Sequence, residues 1–295
     1  MPKSVREYLV QLKQALKGSD RALVQDALSD AEEHLQTALE NTLMDSSDLT
    51  EAEALESIIE KYGNPVEVAA AYRAVENRLA PALAPSKTLQ PQSVVARFFG
   101  ITAEPRAWGG FLYALLSCLT GIIYCAWVVI GGCFSLLSLL FIIGVPIAGA
   151  FLLSLRGIAL MEGRIVEALL GVRMPRKSLF VSRDLKWAEK LKALFTESHT
   201  WKALVYLVLQ FPLGLIYLFV IGGLFVISLS FITSPVMELA FHLPLELLGT
   251  DAFTPAWLLP VVCAAGIFLL PLTLHVAKLL GKLHGHYAKA LLVRK

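Results

Sequence analysis

The sequence predicts an all-α protein: a four-span transmembrane bundle built from two repeated helical hairpins with cytoplasmic amphipathic helices, preceded by an N-terminal cytoplasmic helical module. Three observations carry this prediction. Ala107 to Leu155 contains no Asp, Glu, Lys or Arg, and one crossing needs only about 20 apolar residues, so the run holds two crossings and a turn. Uncharged runs follow at Ala203–Met237 and Ala252–Ala277, where His275 is the only acidic or basic side chain. The composition, 56% hydrophobic and 17% charged, is that of an integral membrane protein.

Four spans are expected near 108–130, 133–155, 203–232 and 255–278, with the first turn at Gly131–Gly132. Residues 1–30 are charged and helical rather than apolar, so no signal peptide is expected and the first crossing acts as the insertion signal. The net charge of +2 conceals a strong asymmetry. Eleven Lys and Arg precede Ala107, ten lie between Arg156 and Lys202, and five follow from Lys278. The 233–254 loop has none and carries Glu238, Glu246 and Asp251. Basic segments stay inside, which places both termini and the middle segment in the cytoplasm of a cell membrane.

Residues 1–80 form a separate module. Leu9, Leu12 and Leu16 make one helical stripe, and Leu23, Val24, Ala27, Leu28, Ala31 and Leu35 a second. Gly18 and Ser19 end one helix and cap the next. Thr50 with Glu53 reads as a capping box for a helix that stops at Gly63. Asn64 and Pro65 start a fourth, with Val66, Val68, Ala69 and Tyr72 inward. The acids Asp26, Asp30, Glu32 and Glu33 read as a solvated face or a partner-docking surface, and such a face repels nucleic acid.

Residues 81–106 read as a linker stiffened by Pro81, Pro85 and Pro91. Within it, Val94–Ile101 either lies at the lipid surface or packs as a short helix. The first transmembrane unit spans 107–200. Pro146 is expected to kink its second span, with Gly144 and Ala148 permitting close helix contact. Arg156–Val172 reads as an amphipathic helix along the membrane, with Ile158, Met161, Ile165 and Leu169 on its apolar side and Glu162 elsewhere. A second such helix starts at Ser182, anchored by Trp187, with Lys186, Lys190 and Lys192 facing lipid headgroups, anionic ones included.

The second unit, 201–295, repeats the first. AWGGFLYALLSCLTGIIY aligns without gaps on TWKALVYLVLQFPLGLIY, matching Trp108, Tyr113, Gly121 and Tyr124 to Trp201, Tyr206, Gly214 and Tyr217. Gly163–Leu170 (GRIVEALL) matches Gly285–Leu292 (GHYAKALL). Because both units start from the cytoplasmic side, the repeat is expected to be parallel, its axis along the membrane normal. The matched Trp and Tyr are expected chiefly as interface anchors.

Little chemistry is visible. Cys118, Cys125, Cys133 and Cys263 are read as small packing residues. His275 reads as a hydrogen-bonded or snorkelling residue in preference to a metal or haem ligand, and His284 and His286 as surface residues. No other acid or base lies inside a predicted span, which counts against a pump, channel or proton-coupled carrier. No catalytic, cofactor-binding or metal-ligating set is present, so an enzyme is not expected.

The LKxALKG-type start and KYGNPVEVAAAYR ending of residues 8–73 resemble the HAAS-type helical signalling domain of bacterial membrane proteins. TWKALVYLVLQFPLGLIY and the tail motif around Glu162, Arg164 and Ala168–Val172 make residues 107–292 similar to the sensor domain found ahead of some bacterial histidine kinases. The resemblance implies a non-enzymatic membrane sensor or signalling adaptor, without assigned ligand or site residues. Only about seventeen residues follow the fourth span, so output is expected through residues 1–80 to another protein. The resemblance implies as partner a PadR-like regulator or a membrane transporter, and self-association is left open. The alternatives are an accessory subunit of a transporter or exporter, favoured by a polar cavity between the hairpins, and a scaffold without ligand.

Overall fold

In the computed structural model the described residues are 4–45, 50–78, 93–140, 144–176, 195–242 and 255–293, with Pro2 and Leu83. The N-terminal module is four helices: α1 Val5–Ala15, α2 Arg21–Asp45, α3 Glu51–Tyr62 and α4 Pro65–Arg78. Local chemistry sets their ends. Ser4 accepts the amide of Glu7, Thr50 and Glu53 form the expected capping box, and Asn64 Oδ1 accepts the amides of Val66 and Glu67. The cap of α2 is Asp20, whose carboxylate accepts from Ala22 N–H at 2.9 Å, rather than Ser19. Gly18 and Gly63 hold φ of 89° and 106°, the left-handed region that glycine enters without a Cβ clash.

Tyr8, Leu12, Leu16, Leu35, Leu55 and Ile59 fill the module's core. Tyr8 reaches across to donate to the Gly63 carbonyl at 2.9 Å. Burial holds the Tyr8 and Tyr72 hydroxyls well above their ordinary pKa, with Asp30 adding to the effect at Tyr72. Val66, expected inward, is 69% exposed at the start of α4, and Val68 and Ala69 take its place.

The short helix α5, Val94–Phe99, has no buried residue and touches the bundle through Phe98. Phe98 stacks on Phe268 and on the His275 ring. His275 Nε2 lies 3.3 Å from the Phe98 carbonyl, a hydrogen-bonded imidazole as the sequence suggested.

Among the described residues, four helices or helical runs are long and apolar enough to cross a membrane: α6 Pro105–Ser138, α7 Gly144–Leu170, the run Ser198–Ala240, and α10 Leu259–Leu292. The third comprises α8 Ser198–Tyr217, a π-helical turn at Leu218–Gly222, and α9 Gly223–Ala240. Pro212 lies inside α8; lacking an N–H it leaves a carbonyl one turn back unpaired, a common setting for a register shift.

Four expectations need correction. α6 runs straight through Gly131 and Gly132, so the hairpin turns beyond Ser138, and the Phe151 ring lies against Gly131. Pro146 falls in the first turn of α7, where the missing N–H costs nothing, so it starts the helix rather than kinking it. Arg156–Leu170 is no separate surface helix but the continuation of the second span. α9 likewise continues to Ala240, so Glu238 is a buried helical residue, 5% exposed, rather than part of a loop. The predicted helix with Trp187, Lys186, Lys190 and Lys192, the prolines of the linker, and the loop at 243–254 lie outside the described residues.

The units are related by exchange about the α6–α8 contact. Gly121 packs on the backbone of Gln210 and Phe211, and Gly214 on the backbone of Ser117 and Cys118; in the alignment Ser117 matches Gln210, so the two contacts are one contact repeated. The helices run in opposed directions through this crossing, since Phe111 meets Phe225 and Leu115 meets Gly222. Same-direction spans standing side by side would have met at equal positions instead. The 43-residue run Ser198–Ala240 is also about 64 Å long at 1.5 Å per residue, twice the bilayer's hydrocarbon core. Insertion of both units from one side therefore requires a steeply inclined pair.

Candidate functional site

Where the four helices meet, the residues that the repeat matched converge. Tyr113 and Tyr206 are each nearly inaccessible, and Tyr124 and Tyr217 flank them. The groups that receive them were not foreseen. Glu162 is 0% exposed and His284 is 1% exposed, whereas the sequence placed both on the outside of amphipathic helices. The periodicity was right, but the side that carries Glu162 also turns inward: Met161 is 52% exposed, Ala159, Glu162, Gly163, Val166 and Leu170 are buried, and Ile158, Ile165 and Leu169 still pack against the core. Helices bathed in lipid put their apolar stripe outward and reserve polar groups for the interior.

The hydrogen bonds form one network. Tyr113 donates to Glu162 Oε1 at 2.7 Å and Tyr124 to Oε2 at 2.9 Å. Tyr206 reaches Oε1 at 3.3 Å and His284 Nε2 at 3.0 Å. Tyr113 OH lies 2.7 Å from the same Nε2, and Tyr217 OH lies 3.1 Å from Nδ1. Gln210 Nε2–H donates to Tyr113 OH at 3.0 Å and to Glu162 Oε1 at 3.3 Å. A single polarity satisfies the backbone of this chain of bonds: Tyr217 donates to Nδ1, Nε2–H donates to Tyr113, and Tyr113 and Tyr124 donate to the carboxylate. Among the described residues no cation pairs with Glu162, so neutral donors alone compensate its burial.

The network obeys the exchange that relates the units. Glu162 precedes Gly163 and His284 precedes Gly285 in the aligned tails. Within the first unit Tyr124 holds Glu162; within the second Tyr217 holds His284; Tyr113 and Tyr206 lie between, 3.5 Å apart. Acid and base thus occupy equivalent positions, and the tyrosines belong to both.

Two further sets repeat in the same way. Glu104 and Glu197 each precede the matched Trp by four residues, and Arg156 and Lys278 each precede the tail glycine by seven. Arg156 pairs with Glu197 at 2.5 Å and also meets Thr200, while Lys278 pairs with Glu104 at 2.6 Å. Counted with the tryptophan it precedes, each acid pairs with the cation of the other repeat, although Glu104 and Glu197 lie just before the bounds 107–200 and 201–295 of their units. Trp108 and Trp201 donate to the carbonyls of Thr102 and Phe195, both at 2.8 Å and both six residues back. Trp201 is half exposed.

The N-terminal module docks on the same two helices. Asp26, 6% exposed, accepts from Arg173 at 3.0 Å and from the Arg176 amide at 2.7 Å, just past α7. Arg173 and Arg176 also hold the buried Glu167 at 3.2 and 3.3 Å. Asp20 pairs with Lys289 on α10. Glu167 and Lys289 each follow the tail glycine by four residues. The acidic run of α2 is thus in part an internal latch rather than a solvated face. Burial, with Asp20 close by, pushes the Glu76 carboxyl above its usual range, and Arg173 at 4.0 Å partly opposes this.

The cysteines are free thiols in varied settings, and among the described residues no three potential metal ligands group together. The chemistry available is proton sharing and mechanical linkage in a buried core, beside a crossing where Gly121 and Gly214 sit against backbone.

Residues 113–292, more than half of the chain, match the Sensor family model, and residues 7–71 match the HAAS family model. Both fit a membrane sensor or signalling role. No curated protein and no solved structure matches the chain.

Proposed function

The chain belongs to the Sensor family, and from that premise we propose that it is a non-enzymatic membrane signalling adaptor whose buried polar core sets the position of its N-terminal module. One observation carries the proposal. The two helices that present Glu162 and His284 to the shared tyrosines lead, through Glu167, Arg173 and Lys289, to the acids that hold the module. A stimulus that shifts one unit against the other must rearrange the network, and a helix displaced at its core moves its latch residues too. Coupling of this kind needs a stimulus with unequal affinity for two arrangements. The charge distribution supports cytoplasmic termini, and the module is the surface a cytoplasmic or membrane protein partner would meet. The close packing at the unit interface favours this reading over a transporter subunit, which would need a polar passage.

The test perturbs the core and reads the module. Glu162→Gln in the full chain, reconstituted in nanodiscs, should increase protease cleavage between α4 and α5 and change which membrane partners co-purify. Deletion of residues 1–80 should abolish that partner set. Identical partners with and without residues 1–80, or cleavage indifferent to the core substitution, would show that no relay exists.

A further inference from the structure

We infer that the groove between α1 and α2 is a docking site for an acidic amphipathic helix of a partner protein; this deepens the adaptor reading and rests on it for its biological setting. The groove encloses about 540 Å³, room for several apolar side chains. Its floor is apolar, with Leu9, Val24 and Leu28 only partly covered by the module's own core. Val10 beside it is 51% exposed. Its rim is basic: Arg6, Lys13, Lys17 and Arg21 line it, all exposed, and among the described residues none of the four makes an ion pair. The one acid lining it, Glu32, is already engaged by another group.

A row of cations above an apolar trough is the complement of a helix with leucines on one face and carboxylates beside them. The concavity decides against a bilayer surface, because flat headgroups reach the rim charges but leave the floor uncovered. The latch acids Asp20 and Asp26 are turned to α10 and the end of α7, and neither lines the groove.

The probe is a fluorescein-labelled synthetic helix of about 16 residues with leucines at i, i+3, i+4 and i+7 and flanking glutamates. Its control carries lysines in place of glutamates. Binding to the full-length protein in zwitterionic nanodiscs is followed by anisotropy. The acidic helix should bind and the basic one should not. Lys13→Glu with Lys17→Glu should weaken binding about tenfold or more, and Leu28→Asp should weaken it without charge reversal at the rim. Equal affinity for wild type and the Lys13→Glu, Lys17→Glu protein overturns the inference. So does module-dependent binding to phosphatidylserine vesicles with none to the helix, or a shift of the protein to dimers that hide the groove. Should the groove substitutions do nothing while deletion of residues 1–80 still strips partners, the groove assignment falls and the relay stands. Should they act while that deletion changes no partner, the groove stands and the relay falls.

Discussion

Tyr113→Phe is the sharpest probe of the polar core. The substitution keeps the ring and its packing but removes one hydroxyl that serves three groups: Glu162 Oε1 at 2.7 Å, His284 Nε2 at 2.7 Å and Gln210 Nε2 at 3.0 Å. Tyr124→Phe removes one bond, to Oε2 at 2.9 Å. Interhelical bonds in membranes average about 0.6 kcal/mol, which puts the Tyr113 loss near 2 kcal/mol. Bonds to charged groups on the soluble scale are worth about 1.5–3 kcal/mol, which raises it towards 5. Either scale makes Tyr113→Phe cost about 1 kcal/mol or more beyond what Tyr124→Phe costs. Reversible unfolding in mixed micelles, followed by tryptophan fluorescence, measures both. A cycle pairing Tyr113→Phe with Glu162→Gln should show coupling above about 0.5 kcal/mol. If the two Phe variants agree within that margin, the hydroxyl of Tyr113 is no hub and the network is a set of separate bonds.

At the crossing, a Cβ on Gly214 would lie 2.4 Å from the Ser117 carbonyl oxygen and one on Gly121 2.8 Å from that of Gln210. Gly214→Ala and Gly121→Ala should each cost about 3 kcal/mol or more of stability in the same assay, whereas Gly157→Ala, which meets nothing within 4 Å, should be neutral or slightly stabilising. Arg173→Ala strips a cation from Asp26 and Glu167, both more than nine-tenths buried. It should loosen the module, seen as faster cleavage of the segment between α4 and α5 and a stronger dependence on salt. The pKa of Glu53 is lowered mainly by its hydrogen bond with the Thr50 side chain. Its stabilisation of the α3 start is therefore present above the ordinary carboxylate pKa of about 4.3 and lost as pH falls through the lower folded value. Protection of the Ala54 and Leu55 amides, taken relative to their intrinsic exchange rates, should fall in acid in the wild type and lose that dependence in Thr50→Ala.

The sequence disclosed the elements and their repetition because both depend on local rules. Charge-free length marks spans, Thr50 with Glu53 marks a helix start, and the pairing of Tyr113 with Tyr206 survives an ungapped alignment. The partners of those tyrosines stayed hidden for a physical reason. In water an amphipathic helix buries its apolar stripe, so Glu162 and His284 read as outward. A lipid-facing helix holds its polar groups inside, so both turn inward. One signal was available: each of these residues immediately precedes the matched glycine of its tail. Asp26 was hidden differently, because a latch between α2 and the segment beyond α7 pairs residues that no local pattern connects.

The placement of an acid and a base at equivalent points has a consequence for how such a core can be encoded. Two identical subunits around a dyad would confront the tyrosines with twin carboxylates or twin imidazoles, which repel whenever both are charged. Joining the halves in one polypeptide lifts that restriction, so a lone proton can bridge unlike groups. A homodimer assembled from either half alone could not reproduce this asymmetric heart.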